Sequence, residues 1–195
     1  MKKQILLFPM LILSLVFTGC SDDDDPAPVE ELEIITTVVV TLTDTNNVEY
    51  EMRWEDPDYA VGNITAGYSG VTSIPEGFYS GEVQLYNNTL PIDDEEYFVN
   101  NEILKPGVGG DIDHLFFYSG LGGLVLNSLA YEDSDMNGDP IGQQFSLVGV
   151  AGTGELSVML VHEPEKDADG MPDDVWNGVG EDEVNLQFPL TISTQ

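Results

Sequence analysis

The chain has little positive charge: five Lys and Arg residues stand against 36 Asp and Glu, a formal net charge of -31 over 195 residues. A surface this negative repels phosphate backbones, which excludes nucleic acid as a partner, and it makes cations the natural counter-partners. Dense carboxylates also serve simply as solvation, and that plain role accounts for most of them. Cysteine is nearly absent. With Cys20 as the one thiol, the chain has no internal disulfide, and once that thiol is used it has no thiolate ligand or nucleophile. Also missing are a G-x-S-x-G elbow, an H-E-x-x-H pair and a glycine loop set between a strand and a helix to cradle phosphate. "PGVGGD" (106 to 111) and "GLGG" (120 to 123) read as flexible loops instead. Carboxylates are so numerous that no glycosidase-like pair stands out. The sequence is expected to be non-catalytic.

What is present begins with an address. Lys2 and Lys3 precede a run from Ile5 to Phe17 that is apolar except for Pro9 and Ser14, the pattern of a secretory signal and too short for a membrane span. Gly19 and Cys20 follow, in a junction that resembles the lipobox of bacterial lipoproteins, with Phe17 where Leu is usual. The resemblance implies that the Cys20 thiol is acylated, with palmitate-type chains, and becomes the first residue of the mature protein. Each buried methylene contributes about 0.8 kcal/mol, so several acyl chains anchor durably. Ser21, Asp22, Asp23, Asp24 and Asp25 resemble the acidic signal that, in Bacteroidota, sends lipoproteins to the outer face of the outer membrane. With Pro26 and Pro28, this stretch reads as a solvated tether. The expected organisation is a signal peptide over 1–19, a lipidated and acidic tether over 20–32, and a folded domain over 33–195.

From Ile34 onward the hydrophobic period is two. In "VEYEMRW", Val48, Tyr50, Met52 and Trp54 share one face; in "VNLQFPLTIS", Val184, Leu186, Phe188, Leu190 and Ile192 do, with Pro189 pointing to a sheet edge. "IITTVVVTLT" (34 to 43), "GEVQLY" (81 to 86), "HLFFY" (114 to 118) and "LSVMLVH" (156 to 162) are further strands. Turn chemistry separates them at Asn46-Asn47, Asn87-Asn88, "MNGDP" (136 to 140) and "GTG" (152 to 154). Only "DDEEYFVNNEIL" (93 to 104) has helical character. The pattern predicts an all-β fold, an antiparallel immunoglobulin-like β-sandwich of roughly seven to nine strands with at most one short helix.

Two groups of residues suggest cation chemistry. Asp133, Asp135, Asn137 and Asp139 alternate around Gly138 as in a calcium loop, but the twelfth position is Gln144, and Asn137-Gly138 alone makes a good hairpin turn. "EDPD" (55 to 58) and "EKDADGMPDD" (165 to 174) are weaker acidic loops. The other group is the two histidines. His162 follows Leu156, Val158 and Leu160 in parity and so points inward, while His114 opens an apolar strand after Asp111 and Asp113. If the two strand ends meet, His114 and His162 with a carboxylate form a site for zinc or another divalent cation; if not, each is a packing histidine. Tyr79, Tyr86 and Trp176 are candidate aromatics for a ligand groove, or core packing.

The lipobox, the Ser-Asp run, "HLFFY", "DSDMNGDPIG", "LSVMLVHEPEK" and "DEVNLQFPLTIS" together resemble short flavobacterial surface lipoproteins of the Bacteroidota. These often carry the label "type 1 periplasmic binding fold superfamily protein". That label implies a two-lobed α/β fold, for which this chain is too short and too rich in strands. The resemblance implies a lipid-anchored outer-membrane protein facing the cell exterior, with a TonB-dependent receptor as partner, and it implies no activity. The expected function is a cell-surface module that binds a ligand or a cation beside such a receptor. The alternative is a structural or adhesive surface protein with no small-molecule ligand.

Overall fold

A computed structural model describes residues 32–59, 66–166 and 178–194. The signal, Cys20, the Ser21 to Asp25 run and Trp176 lie outside the described residues. Ten strands are present among them: β1 (Thr37–Asp44), β2 (Glu49–Glu55), β3 (Gly67–Gly70), β4 (Ser73–Pro75), β5 (Gly77–Tyr86), β6 (His114–Leu121), β7 (Val125–Tyr131), β8 (Gln144–Val150), β9 (Gly152–His162) and β10 (Glu181–Ser193). They form a six-stranded sheet, β3-β2-β1-β5-β8-β7, and a four-stranded sheet, β4-β10-β9-β6. The expected all-β sandwich is what the chain forms. Its strand number exceeds the expected seven to nine because β3 and β4 are only four and three residues long, too short to show a period.

Alternation places the core. Val38, Val40 and Leu42 of β1, Val83 and Leu85 of β5, Leu156, Val158 and Leu160 of β9, and Phe188, Leu190 and Ile192 of β10 are buried between the sheets. Fully burying one such side chain contributes about 1.5–3 kcal/mol. Phe145 lies over Gly81, where any Cβ would run into its ring, and Tyr118 stacks on its ring at 4.1 Å. Glycine on β5 is therefore a packing requirement.

Two expectations of detail are corrected, and two are resolved. The helical stretch over 93 to 104 shrinks to α1 (Asn100–Ile103), because Pro91 and the acids after it are taken up in successive turns. "GTG" at 152 to 154 opens β9 instead of turning; a Cβ at Gly154 would run into the Leu121 carbonyl, so glycine there serves close approach. Pro189 lies on β10, between β4 and β9 in the sheet order, but β4 pairs only with Thr191–Ser193, so Pro189 sits at a local edge as expected. Its missing N–H interrupts no ladder there: Thr191 donates to the Thr72 carbonyl at 2.8 Å where β4 begins, and Gln187 on the other side donates to the Tyr68 hydroxyl at 3.2 Å. Of the two readings for the aromatics, packing holds for Tyr79, which is 1% exposed with its hydroxyl donating to the Pro75 carbonyl, and for Tyr86, which packs against Tyr97 and Phe98.

Candidate metal centre

The site lies at one end of the four-stranded sheet and starts from strand register. β6 and β9 pair antiparallel, with His114 opposite His162, so both imidazoles leave the sheet on the same side. Their rings stack with centroids 4.8 Å apart and planes at 22°. His114 is fully buried and His162 is 6% exposed. Glu163 continues the clamp, its amide donating to the Asp113 carbonyl at 2.7 Å and tying the end of β9 to the start of β6.

The third member comes from β10. Glu181 and Asp182 oppose His162 and Val161, but Val184 opposes Leu160, so a bulge inserts one residue at Glu183. The insertion turns Glu183 inward although its neighbour Val184 also faces the core. The Glu183 side chain is fully buried and reaches both rings. Its Oε2 lies 3.4 Å from His114 Nε2, and its Oε1 lies 3.7 Å from His162 Nδ1. One nitrogen from each histidine and one Glu183 oxygen all fall within 4.8 Å of one another.

The glycine loop before β6 sets the chemistry of His114. Gly107 donates its amide to Asp111 Oδ1 at 2.7 Å and Gly109 donates to Asp113 Oδ2 at 2.6 Å, which fixes the loop. The Gly110 carbonyl then lies 2.7 Å from His114 Nδ1. A carbonyl only accepts, so Nδ1 carries the proton, and in the neutral ring Nε2 presents its lone pair toward Glu183. That nitrogen is buried and has no hydrogen-bond partner, and neither does Glu183 Oε2. Two lone pairs facing each other in a buried space repel, so the arrangement calls for a positive charge between them. A proton on His114 Nε2 would supply that charge. Burial works against the charged imidazole, but Glu183, the Gly110 carbonyl and Glu33 outweigh it and hold the His114 pKa above the ordinary histidine value. Burial would likewise raise Glu183, but contact with His114 prevails and holds it below the usual carboxylate range.

Glu33 closes the cluster from the amino-terminal side. Its amide donates to Glu183 Oε1 at 3.3 Å, and its Oε2 is buried without a hydrogen-bond partner. Burial, followed by the negative charge of Glu183, pushes its carboxyl up to about 7. Glu33 also lines an acidic surface cleft of roughly 280 Å³ with Leu32, Ile34, Asn87, Glu96 and Glu102.

The two candidate groups from the sequence fare differently. His114 and His162 are brought together. The calcium-type loop instead spends its carboxylates on the turn itself. Asp133 accepts from the amides of Gly142 at 2.7 Å and Gln144 at 3.0 Å, and Asp135 accepts from those of Asn137 at 2.8 Å and Asp139 at 3.0 Å. Lys166 Nζ lies 2.9 Å from Asp135 Oδ2, with both side chains buried, so an ammonium already serves that carboxylate. Gly138 has φ +93° and belongs to the turn. Among the described residues, the group with metal-ligand spacing is His114, His162 and Glu183. Sequence reasoning missed Glu183 because a period of two assigns it outward, and it treated Glu33 as the start of the domain with no role.

No family model, curated protein or solved structure matches the chain.

Proposed function

We propose that this chain is a lipid-anchored surface protein whose β-sandwich captures a divalent transition metal, with zinc the best fit, beside a TonB-dependent outer-membrane receptor. The observation that carries the metal reading is the buried pair His114 Nε2 and Glu183 Oε2, 3.4 Å apart and without hydrogen-bond partners, with His162 alongside. Two imidazole nitrogens and a carboxylate suit zinc and similar ions rather than calcium or magnesium, which prefer all-oxygen sites. The Gly110 carbonyl on His114 Nδ1 is the outer hydrogen bond that metal-bound histidines characteristically make. The His114 and Glu183 donors, 3.4 Å apart, match zinc bonds of about 2.0–2.2 Å arranged near tetrahedrally, and the His162 ring, in a group spanning 4.8 Å, has to move inward to join them. The net charge of -31 raises the local concentration of cations around the domain.

Support for the anchor and the receptor comes from sequence: the Gly19-Cys20 junction, the Ser21 to Asp25 run, and resemblance to flavobacterial surface lipoproteins. The test is competition for zinc between the purified full chain and a chromophoric chelator, with His162→Gln and Glu183→Gln as variants. One zinc per chain, weakened at least tenfold by either change, is expected. Stoichiometric binding untouched by both changes places the metal elsewhere and defeats this reading.

A further inference from the structure

We infer that Glu33 is the fourth ligand of this centre, so that metal capture fastens the root of the membrane tether to the domain. This rests on the metal reading above and adds a regulated element to it. His114, His162 and Glu183 are three donors from the folded sheet, and three protein ligands leave a zinc ion one open position. Glu33 is the next carboxylate: its amide contacts Glu183 Oε1 and its buried Oε2 has no hydrogen-bond partner among the described residues, while its oxygens lie outside the group of three, so ligation requires its side chain to turn toward the histidines. A carboxylate held beside a second buried carboxylate is repelled by it, and a shared cation converts that repulsion into two bonds.

The position of Glu33 in the chain gives the bond its consequence. Firm attachment of the amino-terminal segment begins after it. Ile35 is in the core, the Thr36 amide donates to the Tyr86 carbonyl at 2.9 Å, and Thr36 Oγ1 accepts from the Asn88 amide at 2.7 Å. On either side of Glu33, Leu32 and Ile34 are 42% and 43% exposed. Residues 32 to 34 therefore touch down through Glu33, and what precedes them in sequence is the acidic stretch leading back to Cys20. Without metal that contact rests on the 3.3 Å amide bond and on the Glu33 and Glu183 carboxyl pair, and opening it would admit an ion to the buried histidines. A metal bond to Glu33 fixes the direction in which the tether leaves the domain. Loaded and empty forms then present themselves differently to a neighbour in the membrane.

Zinc affinity by chelator competition, and amide hydrogen exchange over residues 32–36 with and without zinc, test this on the full chain in detergent. The variants are Glu33→Gln, which keeps the shape, and Glu96→Gln, which removes one charge from the same cleft. Expected are zinc-dependent protection of 32–36 in the wild type, loss of that protection in Glu33→Gln with at least tenfold weaker binding, and wild-type behaviour in Glu96→Gln. Unchanged affinity and exchange in Glu33→Gln overturns the inference while leaving a three-ligand metal site standing. Equal losses in both variants overturn it in favour of a general charge effect. A wild type that binds no zinc overturns both readings.

Discussion

His114 and His162 oppose each other in the register of β6 and β9, and Glu183 bridges them with one oxygen near each ring, at 3.4 Å and 3.7 Å. The stacked imidazoles are therefore placed by the register of two paired strands, with the Gly110 carbonyl orienting the His114 ring.

That relationship predicts the energetics of the empty site. Glu183→Ala in chelator-treated protein is expected to cost about 3 kcal/mol, because it leaves His114 buried without its counter-charge. The pair His114→Phe with Glu183→Leu, which replaces both partners by apolar groups, is expected to fall within about 1 kcal/mol of wild type and to bind no metal. Urea unfolding measures both. A neutral Glu183→Ala would mean that the buried pair is not formed in solution.

The sandwich was legible in the sequence because burial on one face of each long strand imposes a period of two, as in Val184, Leu186, Phe188, Leu190 and Ile192, all of which are buried. Parity also turned His162 inward correctly. It could not show that His114 lies opposite, since pairing of β6 with β9 is a tertiary fact. Glu183 was illegible for a specific reason: a one-residue bulge reverses parity locally, and the carboxylates on either side of it look alike in sequence. The spacing of Asp135 suits an ion, and what spacing cannot show is Lys166, distant in sequence, with its Nζ 2.9 Å from Asp135 Oδ2.

The Asp135 and Lys166 pair makes its own prediction. Lys166 Nζ also donates to the Asp111 carbonyl at 2.7 Å, so it links the loop before β6 to the turn before β8. Lys166→Met removes the one charge that balances a buried carboxylate and is expected to lower unfolding free energy by about 3 kcal/mol. Asp135→Asn with Lys166→Met should recover part of the loss. A denaturation midpoint for Lys166→Met equal to that of wild type would show that the pair is solvated.

Anchoring is tested at Cys20. On the proposed lipid anchor, the Cys20→Ser variant is expected to lose lipid labelling and to leave the membrane fraction, since acyl chains on Cys20 would supply the attachment. Replacing Asp22 to Asp25 by Ala is expected to reduce protease accessibility on intact cells while leaving the melting temperature unchanged, because the run precedes the core. Cys20→Ser protein that stays in the membrane fraction through a high-salt wash contradicts the lipid anchor.

Ion selectivity separates a built site from a cloud of counterions. A domain with this excess of carboxylates is stabilised by any cation through screening, so a melting shift alone proves nothing. A ligand that binds only the folded state adds RT ln(1 + [L]/Kd), about 2.7 kcal/mol at a hundredfold excess over Kd. For a domain of this size each kcal/mol moves the melting temperature by about 2–4 °C, so zinc at that excess should raise it by about 5–10 °C. Calcium and magnesium at matched ionic strength should give small shifts equal to each other, because Asp133 and Asp135 are already committed to turn amides and to Lys166. His162→Gln should erase the zinc increment and leave the shared salt effect intact. A calcium shift larger than that of magnesium, abolished by Asp133→Asn with Asp135→Asn, would move the cation site from the histidine pair to the turn.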